Sequence, residues 1–343
     1  MYKISLDNLN SLFSAIAEKQ GLYLPVDTEA GAKFERWEEG KELSDRLNTV
    51  RSPKDFFFPQ TENLMDFKVE GKSVEIIDTR SECEDFVIFG IRGCDVKSFE
   101  VLDRVFLADP IDTYYENRRK HSTIVSMACT RPVETCFCHT FGIDASEPEG
   151  DVVCYKTEDT LYLDAKTDKG VALLDGISGV LSESDDTAVD EQKKMIAERM
   201  EKLPLANLSA DKFGADKTKE FFDRPEWSEL SQSCLGCGTC TFVCPTCQCY
   251  DIKDYDTGHG VHRYRCWDSC MYSDFTMMAH GNNRTSQMQR FRQRFMHKLV
   301  YYPLNNDGMF SCVGCGRCVE KCPESLNIVK VIKAFEKQGG AKE

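Results

Sequence analysis

Two runs of the chain, CLGCGTCTFVCP at 234–245 and CVGCGRCVEKCP at 312–323, repeat one spacing, CxxCxxCxxxCP, almost letter for letter. This doubled pattern constrains the chain more than any hydrophobic periodicity in it. In such a run three cysteines on one tight loop hold three irons of a [4Fe–4S] cube, and the fourth, just before proline, points away to ligate the other cluster. The rule assigns Cys234, Cys237, Cys240 and Cys322 to one cluster, and Cys312, Cys315, Cys318 and Cys244 to a second. Gly236, Gly238, Gly314 and Gly316 agree with it, because glycine permits positive φ and lets backbone N–H groups turn toward the cluster sulfides. Structural zinc also takes CxxC pairs, but it wants four sulfurs per site and has no use for exchanged fourth ligands. The reading is therefore two [4Fe–4S] clusters. Cys244 and Cys312 are much farther apart in sequence than a compact bacterial ferredoxin allows, so a helical ferredoxin-like module is expected.

The rest of the composition narrows the function classes. Lys+Arg 43 against Asp+Glu 57 gives a net charge of -14, which argues against nucleic acid and against an anionic membrane surface as partners. No run approaches the roughly 18 apolar residues of a membrane helix, and the start, MYKISLDNLNSLFSAIAEKQ, lacks the pattern of a secretory signal. The expectation is a cytoplasmic protein without membrane insertion. In a reducing cytosol, 18 cysteines are poor candidates for disulfides and good ones for metal ligands.

Along the chain the expected fold class is α+β, an N-terminal α/β domain followed by a mostly helical dicluster ferredoxin-like domain. Leu9, Leu12, Phe13, Ile16 and Ala17 predict an amphipathic helix over 6–20. DFVIFGI (85–91) and STIVSMA (122–128) read as strands, each delivering a cysteine just past its end, Cys94 and Cys129, and VVCYKTEDTLYLDA (152–165) reads as a hairpin. The expected domains are 1–174, a charged, solvated helical linker over 175–224, and 225–343, where SQMQRFRQRFMHKLVYY (286–302) predicts a helix.

The doubled motif occurs together with CPTCQCYD (244–251), RYRCWDSCM (263–271), AHGNNR (279–284), FGIRGCD (89–95), DPIDTYYENRR (109–119), ETCFC (134–138) and NTVRSPKDFFFPQ (48–60). In this combination, which spans nearly the whole chain, the sequence resembles the family that unites the A-type subunit of anaerobic sulfite reductase with the sulfhydrogenase beta subunit. NTVRSPKDFFFPQ looks more like the hydrogenase-associated branch. The resemblance implies an iron–sulfur protein that relays electrons between a reductase subunit binding FAD and NAD(P) and a terminal redox subunit, either a sirohaem sulfite reductase or a NiFe hydrogenase. Gly93 departs from the proline or alanine of many relatives and loosens the turn before Cys94.

Ten cysteines lie outside the eight motif positions. Cys94, Cys129, Cys136 and Cys138 match positions shared with the family, and four sulfurs from three loops would close a third [4Fe–4S] cluster; otherwise they are buried small hydrophobes. Cys247, Cys249 and Cys270 also match the family but supply only three sulfurs unless Cys266, His262 or Asp268 completes the set. They stand either for a fourth cluster or for a thiol-lined wall. Cys266 and Cys270 are spaced as if on one helical face, and Cys83 and Cys154 read as buried thiols.

Arg284, Arg290, Arg292, Arg294, His297 and Lys298 concentrate positive charge on the helix expected over 286–302. Cations beside a cluster favour its reduced form; a solvated basic face or a docking surface is the plainer reading, and the overall charge opposes a nucleic-acid role. No GxGxxG after a strand and no GxxxxGK[ST] is present, so no nicotinamide or nucleotide site can be placed by motif. The functional expectation is a non-catalytic electron-transfer subunit with no catalytic residue of its own. The alternative is a catalytic reductase subunit with a substrate site at Cys247, Cys249 and Cys270.

Overall fold

The structure is a computed structural model that describes residues 1–46, 48–80, 83–185 and 187–336. Its strands are β1 (Tyr2–Ser5), β2 (Gly21–Thr28), β3 (Gly31–Arg36), β4 (Thr61–Glu70), β5 (Ser73–Asp78), β6 (Phe86–Ile91), β7 (Ser122–Met127), β8 (Val152–Lys156), β9 (Thr160–Ala165), β10 (Ser182–Glu183), β11 (Tyr250–Asp256) and β12 (Gly260–Trp267). A further two-residue hairpin lies at 277–282. An eight-stranded sheet runs in the order β10-β1-β9-β8-β7-β6-β2-β3. Its centre, β2, β6, β7 and β8, is parallel and its flanks are antiparallel. β6 is buried throughout and β7 nearly so, as their continuous apolar runs require of strands covered on both faces.

The helices are α1 (Leu9–Ala17), α2 (Gly93–Phe106), α3 (Thr113–His121), α4 (Asp168–Gly176), α5 (Thr187–Glu201), α6 (Thr218–Phe221), α7 (Glu226–Ser231), α8 (Thr239–Phe242), α9 (Gln287–Met296), α10 (Tyr302–Asn305), α11 (Arg317–Glu320) and α12 (Ile328–Glu336). The period-2 alternation of the strands sorts them onto the two faces. Val87, Phe89, Val125 and Met127 meet Leu12, Phe13 and Ile16 of α1 and Leu173 and Leu174 of α4. Their neighbours Ile88 and Ile124 point the other way, into Phe99 and Leu102 of α2 and Tyr115 of α3. The opening helix is preceded by an unexpected strand, β1, because Tyr2–Ser5 pairs with β9 and β10.

One expectation about organisation needs correction, and a second is extended. The charged stretch over 175–224 is not a solvated linker: β10 closes the sheet edge, and α5 buries Val189, Ile196 and Met200 against Val153 and Tyr155. A helix with many surface charges still packs when one stripe is apolar. The region beyond 225, expected to be mostly helical, also contributes strands to a sheet shared with the first part of the chain. β11 and β12 pair with β4 and β5 in a four-stranded antiparallel sheet, order β11-β12-β4-β5, so segments from both ends of the chain share one ladder. The helical core of this region gathers Trp227, Phe291, Phe295, Leu299, Ile332 and Phe335. α9 opens with a capping box, Ser286 with Gln289, and continues into a widened π turn over His297–Tyr301.

Candidate metal centres

The two cysteine runs fold alike. In each, a glycine with positive φ (Gly238, Gly316) precedes a one-turn helix, α8 or α11, that carries the third cysteine, Cys240 or Cys318. Cys234, Cys237 and Cys240 line one cavity, and the cysteine that joins them is Cys322, from the other run, as the crossing rule requires. Met271, Phe291 and Phe295 close this cavity on its apolar side. Three contacts engage its sulfurs: Gln287 Nε2 donates to Cys234 Sγ at 3.5 Å, the Leu326 amide to Cys322 Sγ at 3.2 Å, and Cys237 Sγ donates to Thr239 Oγ1 at 3.4 Å. As a thiolate, Cys237 instead accepts from the Thr239 hydroxyl and amide, and this holds it below its ordinary range.

The reciprocal set is more deeply buried. Cys244 lies within electrostatic reach of Cys312, Cys315 and Cys318. Burial pushes the thiols of Cys312 and Cys315 up, Cys315 to about 11, with Lys298 and Arg317 respectively opposing it. Cys244 is instead lowered, first by a hydrogen bond from Cys247 and then by Lys298.

Cys94, Cys129, Cys136 and Cys138 are brought together as well. All four are at most 7% exposed and line one cavity with Arg92, Ile143, Ala145 and Met200. β6 and β7 are parallel and adjacent, so the residues following them emerge side by side: Cys94 in the first turn of α2, and Cys129 two residues past β7. The carboxyl ends of parallel strands are where open α/β sheets bind their ligands. The loop over 130–138 supplies the other two sulfurs. It is seated on the second cysteine run: the Phe137 amide donates to the Gly314 carbonyl at 2.9 Å. A Cβ on Gly314 would stand 2.3 Å from the Phe137 carbonyl oxygen, and one on Gly316 2.6 Å from that of Thr135. These two glycines therefore serve a close approach of two backbones in addition to their positive φ.

Cys247, Cys249 and Cys270 fall in one neighbourhood beside Cys244. The hydrogen bond from Cys270 lowers Cys249 and raises Cys270. The three residues considered as their complement are engaged elsewhere. Cys266 lies on β12, not on a helix as its spacing suggested, because it pairs with Asp251 and Thr61 in the sheet. His262 is exposed and bonded to Asp66, and the Asp268 carboxylate accepts from the Ser269 amide at 2.6 Å. Cys154 is fully buried within β8, and Cys83 is half-buried with its thiol on the Glu84 carbonyl.

The basic helix divides by burial. Arg284, Arg290 and Arg292 are partly buried; Arg290 donates to the Arg284 carbonyl and to Gln287, and Arg292 to the Phe222 carbonyl. Arg294 and Lys298 are 2% and 4% exposed. Arg294 gives Nη2 to the Cys240 carbonyl at 2.9 Å, while its Nε and Nη1 have no hydrogen-bond partner. The π turn directs Lys298 Nζ to Thr246 Oγ1 at 2.7 Å and the Ser311 carbonyl at 2.9 Å.

Sequence reasoning did not single out three further buried cations. Lys54 Nζ bonds the carbonyls of Cys244 and Cys247 at 3.1 and 3.0 Å and lies 3.6 Å over the Trp267 ring. Arg317 forms a two-pronged bridge to Asp95, at 2.5 and 2.7 Å, and holds the Thr49 carbonyl at 2.8 Å. Arg92 points its Nη1 at Cys136 Sγ, 3.9 Å away; its Nε and Nη2 make no hydrogen bond, and Asp95 Oδ2 stands 3.8 Å from Nη2. Each lies within a motif quoted above, but one sequence gives no signal that separates an inward cation from a surface one.

These orphaned guanidinium donors decide whether the sites suit an iron–sulfur cluster. A buried charge costs several kcal/mol unless it is compensated, and neutral thiols do not compensate a cation. A thiolate-bound cluster is anionic and would; the residues fit it.

Comparison with known proteins agrees. Residues 233–326 match the model of the 4Fe-4S dicluster domain. The chain is 33% identical over 335 residues to sulfhydrogenase 2 subunit beta of Pyrococcus furiosus, an alignment covering 96% of each chain. No helix among the described residues is long and apolar enough to cross a membrane. With its paired cysteine runs and a match along almost its full length, this chain belongs to the family of the sulfhydrogenase beta subunit, iron–sulfur electron-transfer proteins with a 4Fe-4S dicluster domain.

Proposed function

We propose that the protein is a three-centre electron relay of a cytoplasmic oxidoreductase complex. One [4Fe–4S] cluster is held by Cys234, Cys237, Cys240 and Cys322, a second by Cys244, Cys312, Cys315 and Cys318, and a third by Cys94, Cys129, Cys136 and Cys138. Such clusters supply one-electron storage and transfer when bound. The observation that carries the reading is contiguity. Cys240 and Cys318 stand on the abutting helices α8 and α11, and the Gly314 backbone touches Phe137 and Cys138, so the three sets follow one another without an intervening layer of side chains.

The chain's own residues do three things for this task. The cysteine loops hold the ligands, and the apolar walls at Met271, Phe291, Phe295, Ile143 and Met200 shield the sulfurs on their inner side. The buried cations Arg92, Arg294, Lys298 and Lys54 offset negative charge. Cys237, exposed on the surface, marks the first set as the port where an external donor or acceptor can approach. The partners on this reading are a reductase subunit binding FAD and NAD(P), and a terminal redox subunit of the NiFe hydrogenase or sirohaem sulfite reductase type. Cys247, Cys249 and Cys270 form a thiol wall beside the second set; a substrate site there is the competing reading.

Anaerobically purified protein reduced with dithionite should pass electrons to a one-electron dye, yet should neither oxidise NAD(P)H nor reduce sulfite or protons by itself. Adding a flavoprotein reductase should let NAD(P)H reduce the protein. Substantial NAD(P)H oxidation by the flavin-free chain, or sulfite reduction abolished by Cys249→Ser, would overturn the relay reading.

A further inference from the structure

We propose that Arg92 is the fixed counter-charge of the third cysteine set, and that it raises the reduction potential of the cluster held there. The inference rests on the third cluster of the proposed function and adds the residue that tunes it.

Arg92 sits at the turn from β6 into α2, two residues before Cys94, and is 2% exposed. Its guanidinium shares the cavity lined by all four sulfurs, with Nη1 nearest Cys136. The carboxylate that might neutralise it is engaged elsewhere. Asp95 Oδ2 is 3.8 Å from Nη2, beyond hydrogen-bond reach, and both Asp95 oxygens are held by Arg317 at 2.5 and 2.7 Å. One carboxylate, Asp95, is thus shared by two guanidiniums and hydrogen-bonded only to Arg317, so the Arg92–Asp95–Arg317 group keeps one net positive charge beside this cavity. Guanidinium does not lose its proton in proteins, so this charge persists at every working pH.

The sulfurs that bear on Arg92 are those of Cys94, Cys136 and Cys129, all from the third set. Burial pushes Cys94, Cys129 and Cys138 up, to about 11 and about 12 for the latter two, and Arg92 opposes that rise at each. Reduction adds one negative charge to a site that already carries four thiolates. A cation a few ångströms away lowers the energy of the reduced form more than that of the oxidised one, so the potential rises. Arg294 and Lys298 play no part at this cavity; the sulfurs that bear on them belong to the first two sets and to Cys247.

The test is a redox titration of full-length, anaerobically purified protein followed by paramagnetic resonance, with iron counted on the same samples. Arg92→Met removes charge and donors. Arg92→Gln keeps a donor without the charge, and Arg92→Lys keeps the charge. At the wild-type midpoint of the third cluster, the Met and Gln variants should show at least a tenfold higher oxidised-to-reduced ratio, a midpoint lower by about 59 mV. Arg92→Lys should stay within about threefold of wild type, and the other two clusters should not move. Loss of the third cluster's irons from the neutral variants but not from Arg92→Lys would support the same charge in its stronger role of holding the cluster. A third-cluster ratio within threefold of wild type in the neutral variants would overturn the proposal, as would loss of that cluster from all three. Wild-type protein with eight irons would instead remove the third cluster itself.

Discussion

The helical module and the strand-end pocket bring their cysteines together by opposite routes. In the module, each cysteine run wraps three sulfurs around a cavity within seven residues and lends its fourth across to the other run. At the strand ends no local run exists: Cys94 and Cys129 are neighbours only because β6 and β7 pair in parallel, and Cys136 and Cys138 arrive on a loop seated against Gly314. The first kind of site depends on loop geometry, the second on the assembled sheet. Disturbing the fold should therefore cost the third set its metal before it costs the other two.

The largest effects separate the sites directly. Cys244→Ser should perturb the paramagnetic signal of the cluster at Cys312, Cys315 and Cys318 far more than that at Cys234, Cys237 and Cys240, although Cys244 is closer in sequence to the latter. Selective loss of the signal from the 234–240 loop would refute the crossing. Gly314→Ala places a methyl against the Phe137 carbonyl and strains a residue at φ 58. It should cost about 3 kcal/mol of stability and release the third set's iron first, leaving about eight irons per chain. Uniform loss from all three sets would show that the strand-end pocket is no more dependent on the fold than the module.

Arg317→Met is the next step down. It takes from Asp95, 1% exposed, both of its hydrogen bonds to guanidinium, at an expected cost of about 3 kcal/mol in chemical denaturation; a change below about 1 kcal/mol would mean that Arg92, 3.8 Å away, takes Arg317's place. A pH effect is expected in the module. Burial lowers His297 to about 4 from an ordinary 6.5. Its neutral form is favoured in the fold, so the associated stability is complete above pH 6.5 and fades as pH falls toward 4, by at most about 3 kcal/mol. His297→Gln should flatten that decline in a pH series of melting curves, and an unchanged slope would clear His297 of it. Arg263→Gln, which breaks an exposed bridge to Asp254 on the four-stranded sheet, should leave the denaturation midpoint where it is in the wild type, because water and salt screen such a pair.

What the sequence made legible follows the same division. The crossed cysteine sets, β6, β7, the β8–β9 hairpin and the helix at 286–302 were readable because spacing and periodicity are local. The third set was visible as four cysteines in one region, though only strand pairing explains why they meet. The shared sheet of β4, β5, β11 and β12 was hidden: its partners are separated by most of the chain, and the outer strands β5 and β11 are exposed along their whole length, which blurs the alternation that marks a half-buried strand. The inward turn of Lys54, Arg92 and Arg317 was equally illegible, since the pull on each comes from carbonyls, sulfurs or, for Arg317, the Asp95 carboxylate, which only the fold brings near.

The central claim, that the α/β domain carries its own redox centre, is tested most directly by counting iron and acid-labile sulfide in full-length Cys136→Ser beside the wild type, both purified anaerobically. The account predicts about twelve irons in the wild type and about eight in the variant, with one paramagnetic signal missing and the other two intact. Equal iron and identical spectra in the two proteins would contradict it, leaving Cys94, Cys129, Cys136 and Cys138 as packing thiols.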